Sequence, residues 1–204
     1  TFSFFTLLSR ILGYIRDILI AIFLGSGILA DAFFVAFRIP NTFRRLFSEG
    51  SFNSAFVPSY ASELSKGKSQ ANNFANDVYK LLTIGLFFLV SLIEIFMPYF
   101  VFLIAPGFAG NEDKMQLVIN LTRITFPFLF FISISSFFSA ILNSHNRFAA
   151  AAAAPIILNI MLIATLFFAK ILDDKLVYYL SYAVTISGFI QFIFLYIVVK
   201  KFFI

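Results

Sequence analysis

Two stretches of this chain, residues 149–169 and 176–199, run the width of a bilayer without a charged side chain. A helix needs about 20 predominantly apolar residues to cross the hydrocarbon core, whereas a helix at a water-facing surface keeps one polar face. Residues 117–142 add a third run whose single charge is Arg123, and residues 81–104 a fourth, interrupted by Glu94 and Pro98. None has the ten-residue alternation of a barrel strand. Composition agrees: 61% of the 204 residues are apolar and 12% charged, against about 25% charged in soluble domains. A soluble single-core domain, a disordered chain and a collagen are thereby excluded, and with no cysteine so are a disulfide scaffold and a zinc–thiolate site. The expected fold class is all-α integral membrane, and six hairpinned helices fill the length.

The first two spans are expected at 3–24 and 31–47, separated by Gly25-Ser26-Gly27, the second kinked at Pro40. Residues 48–77 form a polar segment, a hinge from Ser48 to Pro58 followed by a loop or surface helix around Glu63 to Asp77. The net charge of +5 is scattered among apolar runs, without the stripe or block that would suggest nucleic acid. With the N-terminus inside, inner loops and tail carry Arg44, Arg45, Lys66, Lys68, Lys80, Arg147, Lys200 and Lys201, and outer loops carry Lys114, Lys170 and Lys175. That bias places both termini in the cytoplasm. No basic flank marks a signal peptide, and the absent initiator Met suggests a trimmed start.

The first span is the informative one. A charge at mid-membrane costs at least ~2.5 kcal/mol on insertion scales, yet this span holds Arg10, Arg16 and Asp17. At about 100° per residue, with Arg10 at zero, Arg16, Ser9, Gly13, Thr6, Asp17 and Ser3 share an arc of about 140°. Phe4, Leu8, Ile11, Leu12, Ile15, Ile18, Leu19 and Ile22 fill the opposite side, suited to lipid. Arg16 and Asp17 are sequence neighbours, which do not face each other on a helix; at least one arginine is therefore expected to lack a partner within the helix. A guanidinium lining a cavity suits phosphate or pyrophosphate through bidentate hydrogen bonds. The alternative is that Arg10 snorkels to the interface while Arg16 and Asp17 serve packing. A second basic cluster, Arg38 through Arg45 around Pro40, fits either a broken helix at a transport site or an inner-interface anchor.

The run SRILGYIRDILIAIFLGSGILADAFFVAFRIPNTFRRLFSEGSFNSAFVP, Ser9 to Pro58, resembles the N-terminal signature of the lipid II flippases of bacterial peptidoglycan synthesis, the MurJ/MviN family of the multidrug, oligosaccharidyl-lipid and polysaccharide exporter superfamily. APGF at Ala105, ITFPF at Ile124, AILNSHNRF at Ala140, and AP followed by LNI (Ala154 to Ile160) continue the likeness over the whole chain. The resemblance implies two six-helix lobes around a V-shaped cavity plus two extra helices, of which this chain would be the N-terminal lobe. It implies cavity arginines at Arg10, Arg16 and Arg44 and an important acid at Asp31, with Ser9, Asn41 and Glu49 as further substrate-binding candidates. For Asp31 the competing role is a helix N-cap, and for Glu49 a solvated loop carboxylate. A further cavity arginine of the family lies in the second lobe. Glu94 matches no family motif and could pair with Arg123.

Other chemistry is sparse. His145 reads as a surface histidine, and one His without Cys makes no zinc site. Asp173-Asp174-Lys175 reads as a solvated turn, and the alanines before Pro155 as a close-packing face. No P-loop, dinucleotide fingerprint or nucleophile elbow is present. The resemblance therefore implies a flippase, not an enzyme, of the bacterial inner membrane. It would carry undecaprenyl-pyrophosphate-linked disaccharide-pentapeptide by alternating access, with membrane lipids and a C-terminal lobe or partner chain as partners and no cofactor, metal or nucleic acid. The rivals are another exporter of the superfamily, a polyprenyl-diphosphate phosphatase or transferase, and a non-transporting lobe.

Overall fold

The computed structural model describes residues 2–49, 51–108, 110–168 and 175–203, and the side chains of all of these except 44–49, 51, 53, 202 and 203. Within them the chain is helical: α1 Phe2–Leu24, α2 Ile28–Glu49, α3 Ser51–Lys66, α4 Lys68–Ile95, α5 Met97–Ile104, α6 Glu112–Thr125, α7 Phe128–Ser144, α8 Phe148–Phe168 and α9 Leu176–Phe203. Four stretches among the described residues are long and apolar enough to cross a membrane: Lys68–Ile95, Glu112–Ser144, Phe148–Phe168 and Leu176–Lys201.

The breaks have local causes. Gly25 ends α1 in the left-handed region at φ 63, its N–H closing on the Ala21 carbonyl, a conformation that costs other residues more. Asn111 caps α6 by accepting the Lys114 N–H at 3.0 Å, and Glu112 and Asp113 then sit at the positive end of the helix dipole. The expected 81–104 span is instead two helices, because Pro98 cannot donate to the Glu94 carbonyl and α5 restarts with that proline in its first turn. The expected 117–142 span is likewise divided at Phe126 and Pro127. The polar segment is mostly helix, its first part forming α3 and its end the first turns of α4.

Pro40, by contrast, leaves α2 continuous. It removes the donor that the Ala36 carbonyl would use, and Thr125 Oγ1 supplies one from a neighbouring helix at 2.9 Å. Thr185 on α9 similarly donates to the Ile124 carbonyl beside the α6–α7 break. These two carbonyls are thus paired across helix interfaces, as a water-free interior favours.

α7 and α9 pack together at the centre, with α8 on one side and α2 and α6 on another, and α1 joins the bundle through α8. One cluster of buried side chains includes Phe33, Phe126, Leu129 and Val184. A second joins α3, α4, α7 and α9 through Phe56, Tyr60, Phe137 and Phe138.

Candidate functional site

A cavity of about 250 Å³ opens between α1, α2, α7, α8 and α9. Ser9, Gly13 and Arg16 line it from α1, Asn41 from α2, Ser135, Ser136 and Ser139 from α7, Asn159 from α8, and Gln191 from α9. The polar arc of α1 is divided by its packing. Ser9, Gly13 and Arg16 are turned toward α8 and the cavity, while Ser3, Arg10 and Asp17 lie along the exposed edge. The opposite face meets the expectation of a lipid surface, with Phe4, Ile11, Ile15, Ile18 and Ile22 all exposed.

Arg16 is the anchored charge. Its Nε and Nη2 donate to Asp17 Oδ1 at 2.9 and 2.7 Å, and its Nη1 donates to Asn159 Oδ1 at 2.8 Å. Its side chain is 16% exposed while that of Asp17 is 63% exposed. The pairing of adjacent residues corrects the expectation from helix geometry: Cβ atoms one residue apart diverge, but the arginine stem is long enough to fold its fork back onto the neighbouring carboxylate. The guanidinium also lies 5.7 Å above the centre of the Phe37 ring, a cation–π distance.

Asn159 was not singled out by sequence. It is 5% exposed and satisfies two partners at once, accepting from Arg16 and donating its Nδ2 to the Ser9 carbonyl at 2.9 Å. Gly13 faces it, and a Cβ there would stand in ordinary contact, 3.6 Å from Asn159 Nδ2. The available signals were a lone amide in a charge-free span and its place in the LNI motif.

Of the other expected site residues, Arg10 is exposed and makes no hydrogen bond or ion pair among the described residues. Asp31 is exposed in the first turn of α2; its own N–H bonds the Gly27 carbonyl at 3.0 Å, so it lies inside the helix and is not its N-cap. Asn41 is half-buried at the cavity. Arg44 and Glu49 are carried by the last turns of α2, and their side chains, like Asp173 and Asp174, lie outside the described residues. Glu94 is half-buried, and its Oε1 has no hydrogen-bond partner; it forms no ion pair with Arg123.

His145 corrects a second expectation. It is half-buried at the end of α7 and meets Tyr60 of α3, Oη to Nε2, at 3.0 Å. Burial, and then the charge of Lys68, lowers the imidazole pKa from its usual 6.5, while burial raises that of the Tyr60 phenol. The contact therefore joins a neutral phenol to a neutral ring, its direction set by the imidazole tautomer.

A family model described as "Lipid II flippase MurJ" matches residues 20–204. A "Probable lipid II flippase MurJ" of Rickettsia prowazekii is 40% identical over 200 residues, covering 98% of this chain and 39% of the relative. One of Rhizobium tropici is 43% identical, covering 96% of this chain and 38% of the relative. The chain belongs to the MurJ family. A solved structure titled "Lipid II flippase MurJ, inward closed conformation" superposes with a TM-score of 0.82 at 30% identity, covering 98% of this chain and 42% of that one. The chain thus spans about two fifths of the length of the MurJ relatives it matches. It is an all-α integral membrane protein of a family whose curated relatives are named as flippases.

Proposed function

We propose that the chain acts as the N-terminal lobe of a lipid II flippase. It would cross the bacterial inner membrane six times, through α1, α2, α4, α6 continued by α7, α8 and α9, with both termini cytoplasmic, as in the multidrug, oligosaccharidyl-lipid and polysaccharide exporters. The second lobe is supplied by the same polypeptide or by a partner. The exposed edge of α1 bearing Arg10, and the end of α2 bearing Arg44, then face that lobe across a central cleft.

The observation that carries this reading is the state of Arg16. A guanidinium has five N–H groups, and Asp17 and Asn159 engage three of them, leaving two donors on an anchored side chain that lines the cavity. Such donors suit the oxygens of a pyrophosphate, and their orientation is set before the ligand arrives. Arg10 and Arg44 add charge, and Asp31 balances it. No bond is made or broken: cargo moves as the cavity opens to one side and then the other, driven by an ion gradient or by the membrane potential acting on charge, worth about 2.3 kcal/mol per elementary charge per 100 mV.

The test is complementation of flippase-depleted cells by the protein joined to a C-terminal lobe. Arg16→Ala is expected to abolish rescue, while Arg147→Ala on the segment between α7 and α8 retains it. Equal tolerance of both would overturn the assignment.

A further inference from the structure

The cavity that holds Arg16 has a second wall whose hydrogen-bonding character is the reverse of the guanidinium's. On α7, Ser135 Oγ donates its proton to the Phe131 carbonyl at 2.8 Å and Ser136 Oγ to the Ile132 carbonyl at 2.9 Å. On α9, Gln191 Nε2 donates to the Ser187 carbonyl at 3.2 Å. The two hydroxyls have spent their only protons on their own helix, so toward the cavity they present lone pairs, while the Gln191 amide keeps a second N–H beside its Oε1 acceptor. Pro155 on α8 adds to this. It has no N–H for the Ala151 carbonyl, and both residues line the same cavity.

Phosphate oxygens bring only lone pairs to a hydrogen bond, so a wall of acceptors repels them. Hydroxyl and amide groups bring protons and are attracted. The cavity is also too large for a lone ion: about 250 Å³ is room for about eight waters at ~30 Å³ each.

We infer that the cavity is divided by chemistry. The Arg16 guanidinium takes the anionic part of a ligand, and the wall of Ser135, Ser136 and the Ala151 carbonyl, with the Gln191 amide able both to donate and to accept, takes an uncharged part rich in O–H and N–H groups, a carbohydrate or amide. Ser139, between the two serines and the end of α7, lines the same cavity with a hydroxyl that can donate as well as accept. This division rests on the flippase reading and deepens it: it assigns the sugar and amide portion of the lipid-linked headgroup to a named surface and explains why Arg16 is the only charged side chain lining the cavity among the described residues.

The test compares two probes on the 204-residue chain in lipid nanodiscs: lipid II, and undecaprenyl pyrophosphate, which keeps the anion and tail but lacks sugar and peptide. The variant Ser135→Ala/Ser136→Ala/Ser139→Ala removes the hydroxyl acceptors while improving helix propensity. It is expected to weaken lipid II binding about tenfold and leave undecaprenyl pyrophosphate within about twofold, the unchanged probe reporting an intact fold. Arg16→Ala is expected to weaken both alike. Unchanged lipid II binding in the serine variant, or equal weakening of both probes, would overturn the division. Indifference of both probes to Arg16→Ala would sink the pyrophosphate assignment instead, and wild-type chain that binds neither probe would sink both.

Discussion

The two faces of α7 are built for opposite ends. One carries Ser135, Ser136 and Ser139 into a cavity with Arg16. The other carries Phe137 and Phe138 into an aromatic knot, where Phe137 meets Phe56 with ring centres 5.1 Å apart and Phe138 stacks on Tyr79 at 5.7 Å. The knot's rings find their partners within the chain. The cavity face keeps hydrogen-bonding capacity that nothing in the chain consumes. In a medium as apolar as a leucine side chain, helices are held by shape and by paired polar groups; on the proposed function, the unspent polar capacity there serves a ligand.

The contrast is broken most severely from the knot side. Phe137 is 1% exposed, and Phe137→Ala is expected to cost about 3–5 kcal/mol of stability, seen as earlier unfolding in a detergent titration, with lipid II affinity of the surviving fold unchanged. Asn159→Leu strikes the boundary. It leaves Arg16 Nη1 and the Ser9 carbonyl without their partner, costing about 1–3 kcal/mol, and lets the guanidinium swing, so lipid II binding should fall about tenfold. Two glycines then sharpen the comparison. A Cβ on Gly188 would lie 2.6 Å from Phe128 Cδ2, so Gly188→Ala should destabilise by about 1–3 kcal/mol through overpacking. At Gly13 the same addition makes ordinary contact, and Gly13→Ala should stay within about 0.5 kcal/mol.

The smallest effect is the pH response of the Tyr60–His145 contact. The folded state lowers the His145 pKa below 6.5, so the unfolded chain binds the proton first. The contribution is complete above pH 6.5 and is lost as pH falls through the folded pKa. His145→Gln should flatten the stability profile in that window. An unchanged slope would remove His145 from the account.

Periodicity alone exposed the polar arc of α1, because 3.6-residue spacing converts sequence directly into a face. It could not say that α8 would cover only one edge, which is why Arg10 and Arg16, a turn and a half apart, end in different surroundings. Asn159 escaped because an amide in an apolar run looks the same whether it glues two helices or orients an arginine; its partners are 143 and 150 residues away. The serines of α7 escaped for a related reason: donors satisfied by their own backbone are silent in a sequence. Pro98 was visible as an interruption, whereas Pro127 was absorbed into an expected single span; α2 runs on through Pro40 because the hydroxyl of Thr125, 89 positions downstream of Ala36, serves the carbonyl that the proline leaves.

That hydroxyl has a mechanical corollary. In an ordinary helix each carbonyl is bound along the axis and neighbouring rods can slip past one another; at Ala36 the bond runs sideways, pegging α2 to α6. With Thr185 pegging α9 to the same strut, any sliding of these three rods shears a bond that has no solvent to replace it. In the proposed transport cycle these three helices would rock as one block, with the travel taken up at the block's margins.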